Sequence, residues 1–287
     1  MTKTCIVTGA SSGIGFHSAL KLAKFNHRVV LICRDVLKAE QTRKIICSLT
    51  GNPQIHAFAS DLSDFDQIKA VSSEITSQFT KVEILIHNAG CVSSAKVMTK
   101  QKLEMQFTVN HLAPFLLTHL LIPILKNNQE ARVICVSSRA HARGTIDFNN
   151  LQGEKNYSLS TAYNQSKLAN LMFVYKLARL LSGSNISINA FHPGLVNTAI
   201  GNKNVSITDD ILWSMIKLLG ASPQKASLDA IYLALSLDLT TINGKYYHNK
   251  QQIISSIESY DIDHQEKIWE LSLNLCGIKP ENYGKVS

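Results

Sequence analysis

Residues 8–15 read TGASSGIG, and that string commits the chain to a strand, a tight turn and a helix. Thr4–Thr8 is short, β-branched and apolar, and over 14–25 apolar residues return at helical spacing. Gly9, Gly13 and Gly15 therefore fall in the strand-to-helix turn. Glycine lets the backbone take positive φ and approach a pyrophosphate, while the first N–H groups and the positive dipole end of a helix face an anion. Two other readings fit the same letters. A glycine triplet also makes an ordinary βα turn. Gly9, Ser11 and Gly13 spell the nucleophile elbow of a serine hydrolase, which needs the same strand, turn and helix. Position weighs against the elbow, whose serine is expected after several strands have built the sheet rather than after the first.

The alternation continues to the end of the chain. Apolar, β-branched runs predict strands at 3–8, 28–33, 54–59, 82–87, 131–137, 186–191 and 243–247. Helical periodicity predicts helices at 14–25, 36–49, 64–79, 101–126, 160–182, 223–237 and 263–276. No linker, repeat or low-complexity break interrupts the order, so the expectation is one α/β domain over residues 1–287. Its architecture is a Rossmann-type, doubly wound parallel sheet with helices on both faces. The six cysteines are scattered singly, without metal or redox spacing, which suits a reduced, intracellular, cytoplasmic protein. The ten histidines form no ligand pair at i and i+4, so no metal is expected. The net charge of +8 comes without a basic run, so nucleic acid is not expected as a partner and the charge reads as a solvated surface.

Within the helix at 160–182, Tyr163 and Lys167 stand four apart and share a face. A phenol with a pKa near ~10 is a poor acid at neutral pH, but a neighbouring ammonium and a cationic nicotinamide would stabilise phenolate and lower it. Tyr246 and Lys250 have the same spacing, but in the setting GKYYHNK, a strand or loop, where four extended residues separate them by about 13 Å.

With these residues in view the chain resembles the short-chain dehydrogenases/reductases, and among them the retinol dehydrogenases and the oxidoreductase domain of WW-domain oxidoreductases. The likeness runs nearly the whole length. It rests on TGASSGIG, CRD at 33–35, Asp61, HNAG at 87–90, VNH at 109–111, VSSRAH at 136–141, YNQSK at 163–167 and HPGLVNT at 192–198, all in the family's order. The resemblance implies Tyr163 as general acid or base, Lys167 as ribose ligand that depresses the tyrosine, Ser138 as donor to the substrate oxygen, and Asn110 as holder of a relay water in its helix. Ser137 competes with Ser138, since neighbours at a strand end point to opposite faces, and the family's second-serine pattern favours Ser138. The resemblance also assigns a nicotinamide dinucleotide to Gly9, Ser11, Ser12, Gly13, Ile14, Gly15, Arg34, Asp61, Leu62, Asn88, Ala89, Gly90, Tyr163, Lys167, Pro193, Gly194, Val196 and Thr198. The interval from Ser138 to Tyr163 is long, as in the retinol dehydrogenase branch, and the extra loop at 139–159 is expected to border the substrate. Where that branch usually shows Gly-His, Ala113 and Pro114 stand, and a proline inside the helix would kink it.

The choice of nicotinamide cofactor turns on the end of the second strand. Asp35 lies at the nominal distance for an acid that binds the ribose hydroxyls of NAD. The apolar strand ends two residues earlier, however, and in family register Cys33 holds the acid's place. Arg34 follows with a guanidinium suited to a phosphate, so NADP(H) is expected, with Lys38 in support. An Arg34 that only caps a solvated turn is the alternative.

Met1 to Lys3 leads straight into the first strand, so no targeting signal or transmembrane segment is expected, nor the N-terminal anchor that many relatives of the retinol type carry. The family's lid falls at about 195–222. Within it ILWSMIKLL (211–219) is apolar almost all round and far too short to span a bilayer. It reads as an apolar lid, with shallow, peripheral contact with an intracellular membrane as the second reading. The expected function is interconversion of an alcohol and a carbonyl on a lipophilic substrate of retinoid, steroid or lipid-aldehyde type. The alternatives are a non-catalytic cofactor-binding sensor or scaffold and, remotely, a serine hydrolase. The family's habit of pairing copies through the helices that carry Asn110 and Tyr163, both richer in apolar residues than one sheet face needs, leads to the expectation of a homodimer.

Overall fold

The computed structural model describes residues 2–196 and 221–279. Thr198, most of the lid and all of 211–219 lie outside the described residues. Strands form where β-branched and apolar residues run together: β1 (Thr4–Thr8), β2 (Arg28–Cys33), β3 (Ile55–Ala59), β4 (Ile84–His87), β5 (Ala131–Val136), β6 (Ile186–Phe191), β7 (Tyr246–His248) and β8 (Gln251–Ile253). They make one sheet in the order β3-β2-β1-β4-β5-β6-β7-β8, parallel except for β8, which pairs antiparallel with β7. The central strands are buried along their whole length, as a sheet covered on both faces requires.

The helices α1 (Gly13–Lys24), α2 (Val36–Thr50), α3 (Phe65–Gln78), α4 (Met105–Lys126), α5 (Leu159–Leu180), α6 (Pro223–Leu235) and α7 (Ile262–Cys276) divide between the two faces. One core joins the sheet to α1, α2 and α6, and the other to α3, α4, α5 and α7. This is the α/β, doubly wound arrangement that the alternation predicts.

Three local differences have physical causes. The helix expected from 101 begins at Met105, because residues 99–103 close a turn through left-handed Lys102 (φ 58°) and Met98 bridges to Glu104. Pro114 does not simply kink α4. The turn over Thr108–Leu112 widens so that the Ala113 N–H reaches the Thr108 carbonyl, five residues back. Proline has no N–H for the carbonyl of Asn110, four residues back, so that oxygen is released from the helix ladder. Finally, β8 went unforeseen because QQI has neither apolar alternation nor length.

By length and composition α4 is apolar enough to cross a membrane, yet 83% of that window is buried inside the fold. It is a core helix, wrapped by α3, α5 and α7. Trp269 of α7 lies edge-on to Phe115 of α4 (centroids 5.0 Å apart, 70° between planes) and near Phe173 of α5, while His111 Nε2 meets Ser272 Oγ at 2.8 Å. The apolar excess on α4 and α5, which motivated the expected homodimer, is thus covered by the chain's own α7. If α7 acts as this cover, Trp269→Ala opens a core void and should cost about 3–5 kcal/mol. A thermal melt should then move down by roughly 10 °C, and an unchanged Tm would show that α7 packs loosely.

Candidate functional site

The crevice opens where the sheet order reverses, between the C-terminal ends of β1 and β4. Gly9 (φ 64°) and Gly13 (φ 57°) occupy left-handed backbone. Gly15 answers to close packing instead: a Cβ there would lie 2.4 Å from both the Asn88 side-chain nitrogen and the Gly9 carbonyl oxygen. Asn88 Nδ2 donates to the carbonyls of Thr8 (2.9 Å) and Gly9 (3.2 Å), and Thr8 Oγ1 accepts the N–H groups of Asn88 and Ala89, each at 3.0 Å. HNAG, whose Gly90 closes the motif, is thereby clamped to TGASSGIG. Ser12 begins α1 without a side-chain hydrogen bond to the first turn, which also lacks an acid. By contrast α2, α3, α5, α6 and α7 are capped by Asp35, Asp64, Ser158, Ser222 and Asp261. The donors of Ile14 and its neighbours are left for an anion, which fits a dinucleotide pyrophosphate. The Ser11 hydroxyl lies against the Cys33 thiol rather than a histidine, so the elbow reading lacks a base.

At the end of β2, Cys33 is buried and its thiol is pushed up to about 11 by that burial. The Asp35 carboxylate is occupied: it accepts the Lys38 N–H at 2.8 Å and caps α2. Arg34 is exposed, and among the described residues no carboxylate pairs with it. Lys38 is exposed on the first turn of α2. Asp61 follows β3 and folds back on Ser63, accepting its N–H (2.9 Å) and hydroxyl (2.7 Å), beside the buried Leu62. Beyond β6, Pro193 and Gly194 (φ 75°) lead to Val196, which bridges to Ala221. His192 accepts the Gly194 N–H at 3.1 Å and stacks on His248, with centroids 4.1 Å apart. Burial and that neighbour pull His192 down to about 3.

Ser138 leaves β5, and Tyr163 and Lys167 occupy the first turns of α5. The Ser138 and Tyr163 hydroxyls lie near each other, and Ser138 Oγ accepts the Ala140 N–H at 3.2 Å. Ser137 is buried and turned the other way, donating to the Lys167 carbonyl at 3.4 Å. Lys167 Nζ donates to the Val136 carbonyl (3.1 Å) and lies 5.8 Å from the Tyr163 ring centre. Burial pulls Lys167 down to about 8, so it stays mostly charged at neutral pH. For Tyr163 burial dominates and pushes the phenol up, opposed by the neighbouring Ser138 hydroxyl. Burial rather than the ammonium sets the direction, with Lys167 Nζ bonded to the Val136 carbonyl.

Asn110 uses its side chain as a clamp. Its Oδ1 accepts the Cys91 N–H (2.8 Å), and its Nδ2 donates to the Cys91 carbonyl and to Ser166 Oγ, each at 3.0 Å. Its backbone carbonyl, released by Pro114, accepts from Asn170 Nδ2 at 3.1 Å. Asn170, Thr8 and Cys91 belong to the site without having been singled out. For Asn170 a signal existed, since it lies three residues beyond Lys167 and seven beyond Tyr163, on their face of α5. The loop at 139–159 starts as a 3-10 turn, Arg139–Arg143. Gln165 then holds it through Asp147 and Leu151, and Tyr157 donates to the Ser93 carbonyl at 2.8 Å.

Comparison with known proteins agrees with this geometry. A family model described as short chain dehydrogenase matches residues 3–208. Human "Retinol dehydrogenase 13" is 37% identical over 282 residues, covering 96% of this chain and 85% of that protein. Mouse "Retinol dehydrogenase 12" is 37% identical over 279 residues, covering 97% and 88%. Among solved structures, an uncharacterised protein of Mycobacterium paratuberculosis superposes with a TM-score of 0.76 at 27% identity, over 96% of this chain and 94% of its own. The 3-ketoacyl-(acyl-carrier-protein) reductase of Brucella melitensis, complexed with NADH, gives 0.65 at 26%, over 85% and 95%. The chain belongs to the short-chain dehydrogenase family, in its retinol dehydrogenase branch. It is an alcohol/carbonyl oxidoreductase built to bind a nicotinamide cofactor. If Ser138 rather than Ser137 meets the reacting oxygen, Ser138→Ala should lower turnover roughly hundredfold and Ser137→Ala by less than about threefold. Equal losses in steady-state assays would remove the distinction.

Proposed function

We propose that the chain, acting as one catalytic domain, is an NADP(H)-dependent reductase/dehydrogenase of lipophilic carbonyls and alcohols. Tyr163 serves as proton donor, Ser138 as donor to the substrate oxygen, Lys167 as ribose ligand and Asn110 as the residue that holds the loop after β4. The cofactor supplies or accepts the hydride. In reduction, the Ser138 hydroxyl polarises the carbonyl and the Tyr163 phenol protonates the developing alkoxide; in oxidation the same groups run in reverse. Lys167 keeps a positive charge beside the phenol and favours phenolate once the proton has left. The neighbouring hydroxyls of Ser138 and Tyr163, with Lys167 Nζ 5.8 Å from the tyrosine ring centre, carry this reading. They also favour turnover over a sensor or scaffold, for which a dispersed set would be expected.

The cofactor preference rests on Asp35 and Arg34. A carboxylate that caps α2 is a poor ribose ligand, and a buried thiol at Cys33 cannot accept two hydroxyls. The exposed guanidinium of Arg34 suits a bidentate contact with a 2′-phosphate. The names of the retinol dehydrogenase relatives favour an apolar alcohol such as a retinoid, and Leu195, 60% exposed where the chain leaves β6, fits an apolar substrate.

Tyr163→Phe should lower turnover by roughly a hundredfold or more while cofactor binding stays nearly intact. Retained turnover in that variant would end the assignment. Charge-assisted hydrogen bonds of roughly 1.5–3 kcal/mol amount to about one to two factors of ten in affinity. Fluorescence titration should therefore show NADPH bound tenfold or more tightly ahead of NADH, in the range of ~10–100. Cys33→Asp combined with Arg34→Ser should reverse the order. A wild type that already prefers NADH would return the ribose to Asp35.

A further inference from the structure

We propose that His141 is a positioning residue for the reaction centre: its imidazole ties the strap beyond β8 to Ser138 and so holds the Ser138 hydroxyl against Tyr163. The proposal rests on the oxidoreductase reading above. His141 is buried in the turn that leads away from Ser138. Its Nδ1 lies 2.6 Å from the Ser138 carbonyl oxygen, and its Nε2 lies 3.2 Å from the Ser256 backbone nitrogen. A carbonyl only accepts and a backbone N–H only donates, so Nδ1 carries the proton and Nε2 accepts. One neutral tautomer satisfies both contacts, and burial keeps the ring neutral by pulling its pKa down. Tyr246 packs edge-on to the ring, with centroids 5.1 Å apart and 83° between planes, which fixes its orientation.

The post on the far side is itself anchored to the catalytic helix. Ser255 Oγ is 2.6 Å from the Tyr175 hydroxyl of α5 and 2.7 Å from Ser259 Oγ, and Tyr260 stacks on Tyr175. Short, antiparallel β8 turns the chain back so that this strap runs beside α5. The other end of the turn is equally constrained, since a Cβ at Gly144 would lie 2.7 Å from the Asn164 carbonyl, next to Tyr163. Ser138 and Tyr163 therefore belong to one closed circuit: Ser138, His141, Ser256, Ser255, Tyr175 and back along α5. In it the His141 imidazole joins the end of β5 to the strap. Losing its Nδ1 proton donor leaves the Ser138 carbonyl with only the longer bond from the His141 N–H, at 3.2 Å.

Three variants test this. His141→Phe keeps a ring and removes both contacts. His141→Asn places an amide N–H near the Nδ1 position. Ser256→Pro deletes the donor at a residue whose φ of −66° proline adopts. Carbonyl reduction should show kcat falling about tenfold or more in H141F and roughly threefold in S256P, with most of the loss restored in H141N. KM for the nicotinamide cofactor should stay within about twofold throughout, because the circuit does not touch the glycine turn. Crystal structures of the cofactor complexes should show the Ser138 hydroxyl displaced from Tyr163 in H141F and retained in H141N. A folded H141F with wild-type kcat, or with the Ser138 hydroxyl still in its wild-type place beside Tyr163, overturns the proposal. So does equal loss in H141F and H141N, which marks a purely structural histidine. If wild type turns over no carbonyl tested, the oxidoreductase reading falls, and the crystallographic comparison still decides the role of His141. Should H141F fail to fold, S256P carries the same two readouts.

Discussion

The clamp between Asn88 and the glycine turn is the contact on which the rest of the site depends. A doubly wound sheet gains its crevice by letting β1 and β4 send their connections in opposite directions, and that divergence leaves backbone polar groups at the strand ends without ladder partners. Asn88 and Thr8 supply those partners across the gap, with one side-chain amide on two carbonyls and one hydroxyl on two N–H groups. The amide sits where a Cβ of residue 15 would be, so Gly15 is required by packing, while Gly9 and Gly13 are required by φ. Once the turn is fixed, α1 starts with its first donors uncommitted, and the phosphate end of the site follows.

The reaction end is organised by a second buried polar system, around α4 and α5. Pro114 removes one N–H, the Thr108–Leu112 turn widens, and the Asn110 carbonyl is handed to Asn170 on α5. The Asn110 side chain meanwhile grips Cys91, which places the loop after β4 relative to Tyr163 and Lys167. Few of these contacts reach solvent, so each works in a low-dielectric setting where an unpaired group is costly and geometry is correspondingly well defined. α7 closes this layer from outside. Trp269 and the His111–Ser272 bond fasten it to α4.

Most of this was legible in the sequence for an identifiable reason. Strand and helix periodicities differ sharply, so VVLIC and LMFVYKLARL declare themselves, and TGASSGIG, HNAG and YNQSK mark the turns where side chains must meet. What escaped notice is what periodicity does not encode. β8 is three polar-leaning residues held by pairing with β7. The cover provided by α7 depends on tertiary packing of an amphipathic helix that, read alone, also suits a surface. The choice between Ser137 and Ser138 needed the direction of the strand end, and the structure turns Ser137 toward the α5 backbone. For Tyr163, spacing places it beside Lys167, while the bond from the ammonium to Val136 and the burial that governs the phenol arise from tertiary packing.

As an alcohol/carbonyl oxidoreductase, the protein should move a hydride between a nicotinamide cofactor and a carbonyl carbon in this crevice. The most direct measurement is isotopic: NADPH deuterated at the reactive nicotinamide carbon is incubated with the protein and a panel of retinal, steroid ketones and medium-chain aldehydes, and the products are read by mass spectrometry. Deuterium is expected on the carbinol carbon of at least one apolar alcohol, and should be lost in Tyr163→Phe. Tight NADPH binding with no deuterium in any product would contradict it and leave a cofactor-binding protein without turnover.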